Sequence, residues 1–348
     1  MKKTKQNLKG NSLFISIIIV NWNGKKWLKN CLDSLEKQTH KNFEIIFVDN
    51  ASTDDSIAFV KKRYPKVTIV QNTSNRGFAG GNNDGLKFAK GDYILLLNND
   101  TWSPPDFLKN FIKAFDELPK AGCIQSKMVL LRDPQKTDLV GAYWTDSSFL
   151  YYYGFGKDAN LPQYNKPMPF FTNKGASVMI PRKIIDKIGL FDDDFWLYYE
   201  ETDFCHRVWL AGYECWYWPK AVVHHAGGGT SIRFDNSLIQ FHNFKNKLMS
   251  FLKNFETKNL LTIIPVYIIL NIFLSIVWLL QGKTKHFAAL YQSIWWNIVH
   301  YNQTMRKRKK IQSWRKKSDD EIVRLTKKNP RFNYYLYLLK GDLEQYKD

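Results

Sequence analysis

Apolar and polar positions alternate in two rhythms along the first hundred residues. FISIIIV (14–20), FEIIFV (43–48), VTIVQN (67–72) and YILLL (93–97) are short runs dominated by β-branched, leucyl and aromatic side chains. Such runs predict strands, and YILLL reads as one buried on both faces. KKWLKNCLDSLEKQ (25–38) instead places Trp27, Leu28, Cys31, Leu32 and Leu35 on one helical face. A second helix continues through Phe59 and Val60, with Ser52, Thr53 and Asp54 as candidate caps. Strands separated by short helices predict an α/β fold with a mostly parallel central sheet flanked by helices. Residues 104–170, rich in Tyr and Pro, break the rhythm and predict loop with a few strands; order returns over 171–229.

Each predicted strand of the first half runs into polar residues. Val20 leads into Asn21, Trp22 and Asn23, Val48 into Asp49-Asn50, and Leu97 into Asn98-Asn99-Asp100. Parallel strands bring these ends to one edge, where open α/β sheets bind ligands. A turn with a helix cap accounts for the same residue types. Between two of these ends lies the glycine-rich stretch Asn75-Arg76-Gly77-Phe78-Ala79-Gly80-Gly81-Asn82-Asn83. Its backbone can approach a ligand closely, and Arg76 can meet a phosphate. It lacks the lysine-serine ending of a P-loop, and no GxGxxG follows the first strand, so neither an ATPase nor a dehydrogenase is expected.

The pattern changes again after residue 235. Phe241, Phe244, Leu248, Phe251, Leu252 and Phe255 share one helical stripe flanked by Lys245 and Lys247, which predicts an interfacial amphipathic helix, with a core-packed helix as the alternative. LLTIIPVYIILNIFLSIVWLL (260–280) carries no charge. As a helix it is about 31 Å long, close to the hydrocarbon thickness of a bilayer. Pro265 and Asn271 interrupt it, and Lys258 and Lys283 bracket it. HFAALYQSIWWNIVHY is too short to span but rich in the aromatics of membrane interfaces. A spanning helix would put the basic run MRKRKKIQSWRKK across the membrane from the sheet. A helix in the membrane plane or a re-entrant hairpin keeps both on the anionic cytoplasmic side; this one-sided arrangement is the expectation.

Composition adds two constraints. A net charge of +19 over 348 residues implies an anionic partner without choosing among nucleotide, nucleic acid and membrane. Cys31, Cys123, Cys205 and Cys215 show neither CxxC pairing nor metal-ligand spacing and read as reduced core residues. The basic N-terminus is followed by an apolar run too short for an export signal.

Taken together, ISIIIVNWNG, IIFVDNASTDDS, NRGFAGGNNDGL, YILLLNNDTW, the long TNKGASVMIPRKIIDKIGLFDDDFWLYYEETDFCHRVWLAGY segment and HHAGGGTS resemble, in order, the family 2 glycosyltransferases of GT-A fold, especially the bacterial rhamnosyltransferase-like branch. The likeness covers about residues 13–232. It implies that Asp49 receives the imide N–H of a uracil or thymine, beside the turn containing Val20, Asn21 and Asn23. Asn75, Arg76, Gly77 and Phe78 resemble the segment closing over the nucleoside. Asp100 matches the last acid of the family's DxD element, with Asn98 in place of the first acid and Asn99 between them. The resemblance thus implies a Mg²⁺ or Mn²⁺ ion on Asp100, with His225 able to reach the ion or the diphosphate. In YYEETDFCHR it makes Glu201 the general base, with Glu200 as runner-up, and Asp203 and Arg207 fit an i, i+4 ion pair. Asn173, Lys174, Gly175, Ala176, Trp196, Tyr198 and Tyr199 would wall the acceptor and donor-sugar pocket.

The expectation is an inverting transfer of a sugar, with L-rhamnose leading, from a dTDP- or UDP-sugar to a polyprenyl-diphosphate-linked saccharide at the cytoplasmic face of the cell membrane. No nucleic-acid partner is expected. A nucleotidyltransferase, a nucleic-acid binder and a non-catalytic membrane scaffold are the alternatives. The corresponding division is a basic extension (1–12), a catalytic domain (13–235), membrane-associated helices (236–302) and a basic tail (303–348).

Overall fold

A computed structural model describes residues 13–227 and 234–348. The predicted extension 1–12 and residues 228–233 of the HHAGGGTS region lie outside the described residues. The strands are β1 (Ile15–Asn21), β2 (Phe43–Asp49), β3 (Thr68–Gln71), β4 (Tyr93–Leu97), β5 (Thr101–Trp102), β6 (Ala121–Leu130), β7 (Asp133–Leu139), β8 (Gly141–Trp144), β9 (Leu150–Tyr153), β10 (Met168–Pro169), β11 (Ser177–Pro181) and β12 (Glu214–His225). The helices of the catalytic region are α1 (Lys25–Glu36), α2 (Ser56–Arg63), α3 (Gly77–Leu86), α4 (Phe107–Glu117), α5 (Arg182–Ile188) and α6 (Glu200–Leu210). They are followed by α7 (Asn236–Asn254), α8 (Thr257–Leu280), α9 (Thr284–Val299), α10 (Tyr301–Ser313), α11 (Asp319–Thr326) and α12 (Asn333–Lys340).

The main sheet runs β10-β12-β6-β11-β4-β1-β2-β3. The four strands expected from periodicity form its parallel half, in register such that Asn21 lies opposite Asp49. β11 is antiparallel to both β4 and β6, and β12 is parallel to β6. One apolar layer packs α1 and α4 on the sheet; the other joins it to α5, α6 and α7.

Two expectations are corrected here. The irregular middle contains α4 and the ten-residue, fully buried β6. Its Gln125, Ser126 and Lys127 disguise it as loop, yet each is bonded inside: Gln125 Nε2 donates to Leu139 and Val140 carbonyls, Ser126 to Ser177, and Lys127 Nζ to the Ala159 carbonyl. The glycine-rich stretch from Gly77 forms the helix α3. Its glycines let it lie close on the sheet; a Cβ at Gly85 would meet Ile18 and Val48 at 2.6 and 2.8 Å.

The second correction concerns α7, which is a core helix and not an interfacial one. Phe244, Leu248, Phe251 and Phe255 are buried, and their stripe is covered by Trp144, Tyr199, Tyr267 and Trp278. The flanking lysines find protein partners rather than lipid headgroups. Lys245 Nζ donates to the Asp194 carbonyl at 2.6 Å, and Lys247 sits 4.0 Å over the Phe149 ring.

α8 hides only Tyr267, Asn271, Ser275 and Trp278, four residues on one stripe. Asn271 closes on the Tyr267 carbonyl and Ser275 meets Tyr291 of α9, so the polar residues that interrupt the apolar run serve its protein-facing side. The remainder is bare, with Phe273 66% and Leu280 84% exposed, and Trp295 of α9 adds another 66% exposed ring. The tail returns to the sheet domain. Tyr334 and Tyr346 pack among Tyr151, Tyr153 and Tyr164, and the Asp348 carboxylate accepts from Tyr151 at 2.9 Å and from the Gly154 N–H at 2.8 Å.

Candidate functional site

The carboxyl ends of β1 and β4 open onto a cavity of about 320 Å³. Val20, Asn75, Gly77, Asn98, Asn99, Asp100, Lys174, Trp196 and His225 of the expected set line it. Trp22, Asn50, Phe78 and Tyr198, which the sequence places beside those residues, also line the wall; Leu197 and Phe234 line it as well and were not expected. Gly77 is fixed here by sterics: its φ is +67°, and a Cβ would fall 2.0 Å from the Trp196 carbonyl oxygen. That close approach lets the Phe78 N–H bond the same oxygen at 2.9 Å, while Trp196 Nε1 donates to the Asn75 carbonyl at 3.0 Å.

Four expected residues sit behind the wall. Asp49 is buried, with Oδ2 accepting from Asn21 at 3.1 Å and Oδ1 from the Ser52 N–H at 2.8 Å. Asn21 in turn accepts from Asn99 Nδ2 at 2.6 Å, so this chain braces three strand ends against one another. Asn23 accepts from the Thr53 N–H at 2.7 Å. Arg76 turns to Asp84 at 2.9 Å and does not line the cavity.

At the cavity floor, pairing of His225 with Thr101 between β12 and β5 sets the imidazole beside Asp100. His225 Nε2 lies 3.2 Å from Asp100 Oδ1, and Nδ1 lies 2.6 Å from Asp138 Oδ2. Asp138 also accepts from Lys174 Nζ at 2.7 Å. Asp138 stands in the stretch read as irregular, and only its pairing partner β6 brings it here. Burial pushes the Asp100 carboxyl up, but the hydrogen bond and charge of His225 outweigh it and hold the group low. Burial likewise works against the imidazolium, and the bonds to Asp100 and Asp138 overcome it, raising His225 above its ordinary value. One carboxylate oxygen and one imidazole nitrogen, converging on a site where diphosphate oxygens could complete the shell, suit a divalent ion such as Mn²⁺.

A second cavity of about 260 Å³ shares Lys174 and Tyr198 with the first and contains Glu201, Tyr152, Asn173, Tyr199 and Asn243. Glu200 and Glu201 open α6, where acids complement the helix dipole. Each has an Oε2 that is buried and unpartnered. Only Glu201 reaches the cavity. Burial raises its carboxyl to about 7, whereas burial and then the charge of Glu201 push Glu200 well above its ordinary value. Arg207 Nε donates to Asp203 at 2.9 Å, the ion pair expected from spacing. Gly175 and Ala176 border neither cavity; the Ala176 carbonyl accepts from the Asn98 N–H at 2.9 Å and ties the segment to the end of β4.

The turn entering α6 is strained. Tyr198 and Tyr199 have φ of 66° and 70°, left-handed conformations that cost about 1–3 kcal/mol each without glycine. Asn246 of α7 offsets part of this by donating to the Leu197 and Tyr198 carbonyls at 3.0 and 2.7 Å, contacts that contribute about 0.5–1.5 kcal/mol each.

Comparison with known proteins agrees with this architecture. The glycosyl transferase family 2 model matches residues 16–189. Over 94 residues the chain is 42% identical to a poly(ribitol-phosphate) beta-glucosyltransferase of Bacillus spizizenii, covering 25% of this chain and 15% of that protein. Over 245 residues it is 23% identical to the N-acetylglucosaminyl-diphospho-decaprenol L-rhamnosyltransferase of Mycobacterium tuberculosis, covering 62% of this chain and 77% of the relative. The crystal structure of GalNAc-T7 with UDP, GalNAc and Mn²⁺ superposes with a TM-score of 0.55 at 17% identity, covering 70% of this chain and 48% of the other. The fold is GT-A.

Proposed function

The chain belongs to glycosyl transferase family 2, and from that membership we propose that it is an inverting transferase moving a sugar from a UDP- or dTDP-linked donor to a lipid-linked saccharide. L-Rhamnose is the leading sugar, in keeping with the Mycobacterium tuberculosis relative. One observation carries the reading: the cavity of Asp100 and His225 meets the cavity of Glu201 at a common wall of Lys174 and Tyr198.

Each residue then has a part in the chemistry. Asn98, Asn99 and the Asp100–His225 pair receive the donor diphosphate. Asp100 and His225 would hold a divalent ion, which when bound would supply positive charge to offset that developing on the leaving diphosphate. Asp138 fixes the ring of His225 through Nδ1. Lys174 Nζ, held by Asp138 at the shared wall, supplies a further positive charge near the diphosphate. Glu201, ionised, takes the proton of the acceptor hydroxyl as that oxygen attacks the anomeric carbon. Base recognition by Asp49 requires its carboxylate to exchange the Asn21 contact for the imide N–H.

The bare faces of α8 and α9 support membrane association. α7 before this pair and α10–α12 after it are all in contact with the sheet domain or with one another. That favours a hairpin lying on or dipping into one leaflet over a span, with tail and catalytic domain on one side.

The test is a panel of nucleotide sugars scored for nucleoside-diphosphate release, with polyprenyl-diphosphate saccharides in vesicles as acceptors. Release of UDP or dTDP that requires Mn²⁺ or Mg²⁺, and that falls sharply in Asp100→Ala, is expected. Release of pyrophosphate instead would make the protein a nucleotidyltransferase.

A further inference from the structure

Three cysteines that look unrelated in the sequence meet beneath the Glu201 cavity. Cys123 of β6 and Cys215 of β12 are register partners on adjacent parallel strands. Cys205 comes down onto them from α6, one turn after Glu201. The three sulfur atoms lie within 4.8 Å of one another, with Cys123 and Cys205 4.0 Å apart, and all three residues are buried. Sulfurs bound tetrahedrally to Zn²⁺ at about 2.3 Å stand about 3.8 Å apart, so this spacing needs little adjustment.

Cysteine is a common core residue, and a cluster alone would mean packing. Asn173 supplies the second observation. Its backbone N–H points at Cys205 Sγ and its Nδ2 at Cys123 Sγ, each at 3.5 Å. Such N–H donors stabilise sulfur that carries negative charge. Its Oδ1 is buried and has no hydrogen-bond partner, although the residue is only 2% exposed.

We propose that Cys123, Cys205 and Cys215 form a binding site for a soft divalent cation of the Zn²⁺ class, separate from the ion site at Asp100. Thiolates are the ligands such ions prefer, and the unclaimed Asn173 Oδ1 is available as a fourth donor. Binding replaces three S–H protons with one dication and releases the protons to solvent, leaving one net negative charge facing the Asn173 donors. The ion clamps α6 to β6 and β12 just below Glu201. It is therefore a structural support for the acceptor side rather than a participant in transfer.

The probe is Cd²⁺ titrated into the full chain after chelator treatment in reductant, read by sulfur-to-cadmium charge-transfer absorbance. The expected result is a signal saturating at a single equivalent, displaced by Zn²⁺, unchanged in Cys31→Ser and in Asp100→Ala, and lost as a saturable step in Cys215→Ser. Zn²⁺ should also raise Tm in the wild-type chain. The wild-type and Cys31→Ser measurements need no core substitution, so misfolding of Cys215→Ser leaves the test intact. Absence of a thiolate signal in the wild type, or one that never saturates, overturns the site. Neither result bears on sugar transfer, which the nucleotide-sugar panel tests on its own.

Discussion

At the scale of single residues, the two acids that open α6 divide by what they face. Glu201 borders a cavity and Glu200 does not, so replacing Glu201 by Gln should lower kcat by roughly 10²-fold or more while nucleotide affinity stays unchanged. Calorimetric binding of nucleotide alongside turnover checks this. With its carboxyl raised to about 7, the base form appears only above that pH, so activity should climb as pH rises through about 7 and then level. The stability sign is opposite. A carboxyl whose folded pKa exceeds its unfolded value of about 4.5 binds more protons in the folded chain between the two values. Stability is thus lost as pH rises from about 4.5 to about 7, and Glu201→Gln should raise Tm more at pH 8 than at pH 5. Asp138→Asn should leave the fold intact but release His225 and Lys174 together. It should weaken Mn²⁺-dependent nucleotide binding about 10- to 100-fold, as loss of a supporting carboxylate does elsewhere, and titration of the nucleotide with and without Mn²⁺ measures it.

At the scale of elements, α7 is a brace for the catalytic turn. Lys253 is 1% exposed and pairs with Asp192 and with Asp203, the latter at 3.2 Å. Lys253→Met removes one of two cations from each carboxylate, leaving Arg207 on Asp203 and Lys307 on Asp192, and should destabilise the chain by about 1.5–3 kcal/mol, read as a fall in denaturation midpoint. The parallel half of the sheet and the polar strand ends were legible because short apolar runs report strands, even the partly exposed edge strand β3, and parallel strands share an edge. What escaped was long-range. The stripe of Phe244, Leu248, Phe251 and Phe255 has the same spacing whether its cover is lipid or Trp144 and Tyr199. Asp138 carries no local signal, since only strand pairing delivers it to His225. Asp49 reads as a ligand-facing acid, yet Asn21 and Ser52 hold both its oxygens below the wall.

At the scale of the whole molecule, catalytic sheet, helical hairpin and tail form one connected body. The tail folds back to place Leu343 in the lining of the Glu201 cavity. Most of the large exposed apolar side chains lie on α8 and α9, with Phe332, Leu336 and Leu339 at α12 adding a smaller group. A double substitution of Phe273 and Ile276 by Asp, both on the bare side of α8, should shift the protein from the membrane pellet to the supernatant while donor hydrolysis in solution persists. Flotation with anionic vesicles is the readout. The sequence left a span and a one-sided hairpin open, because an uncharged helix of that length suits either; contacts beyond the helix favour the second.

Asn246 holds two carbonyls of the strained turn on one side of α7, while α9 presses on the other through the Asn297 bond to the Lys245 carbonyl. A micelle that prises the hairpin away therefore tugs on the backbone three residues from Glu201. Extraction conditions would silence the enzyme without unfolding it, and restoring lipid would revive it.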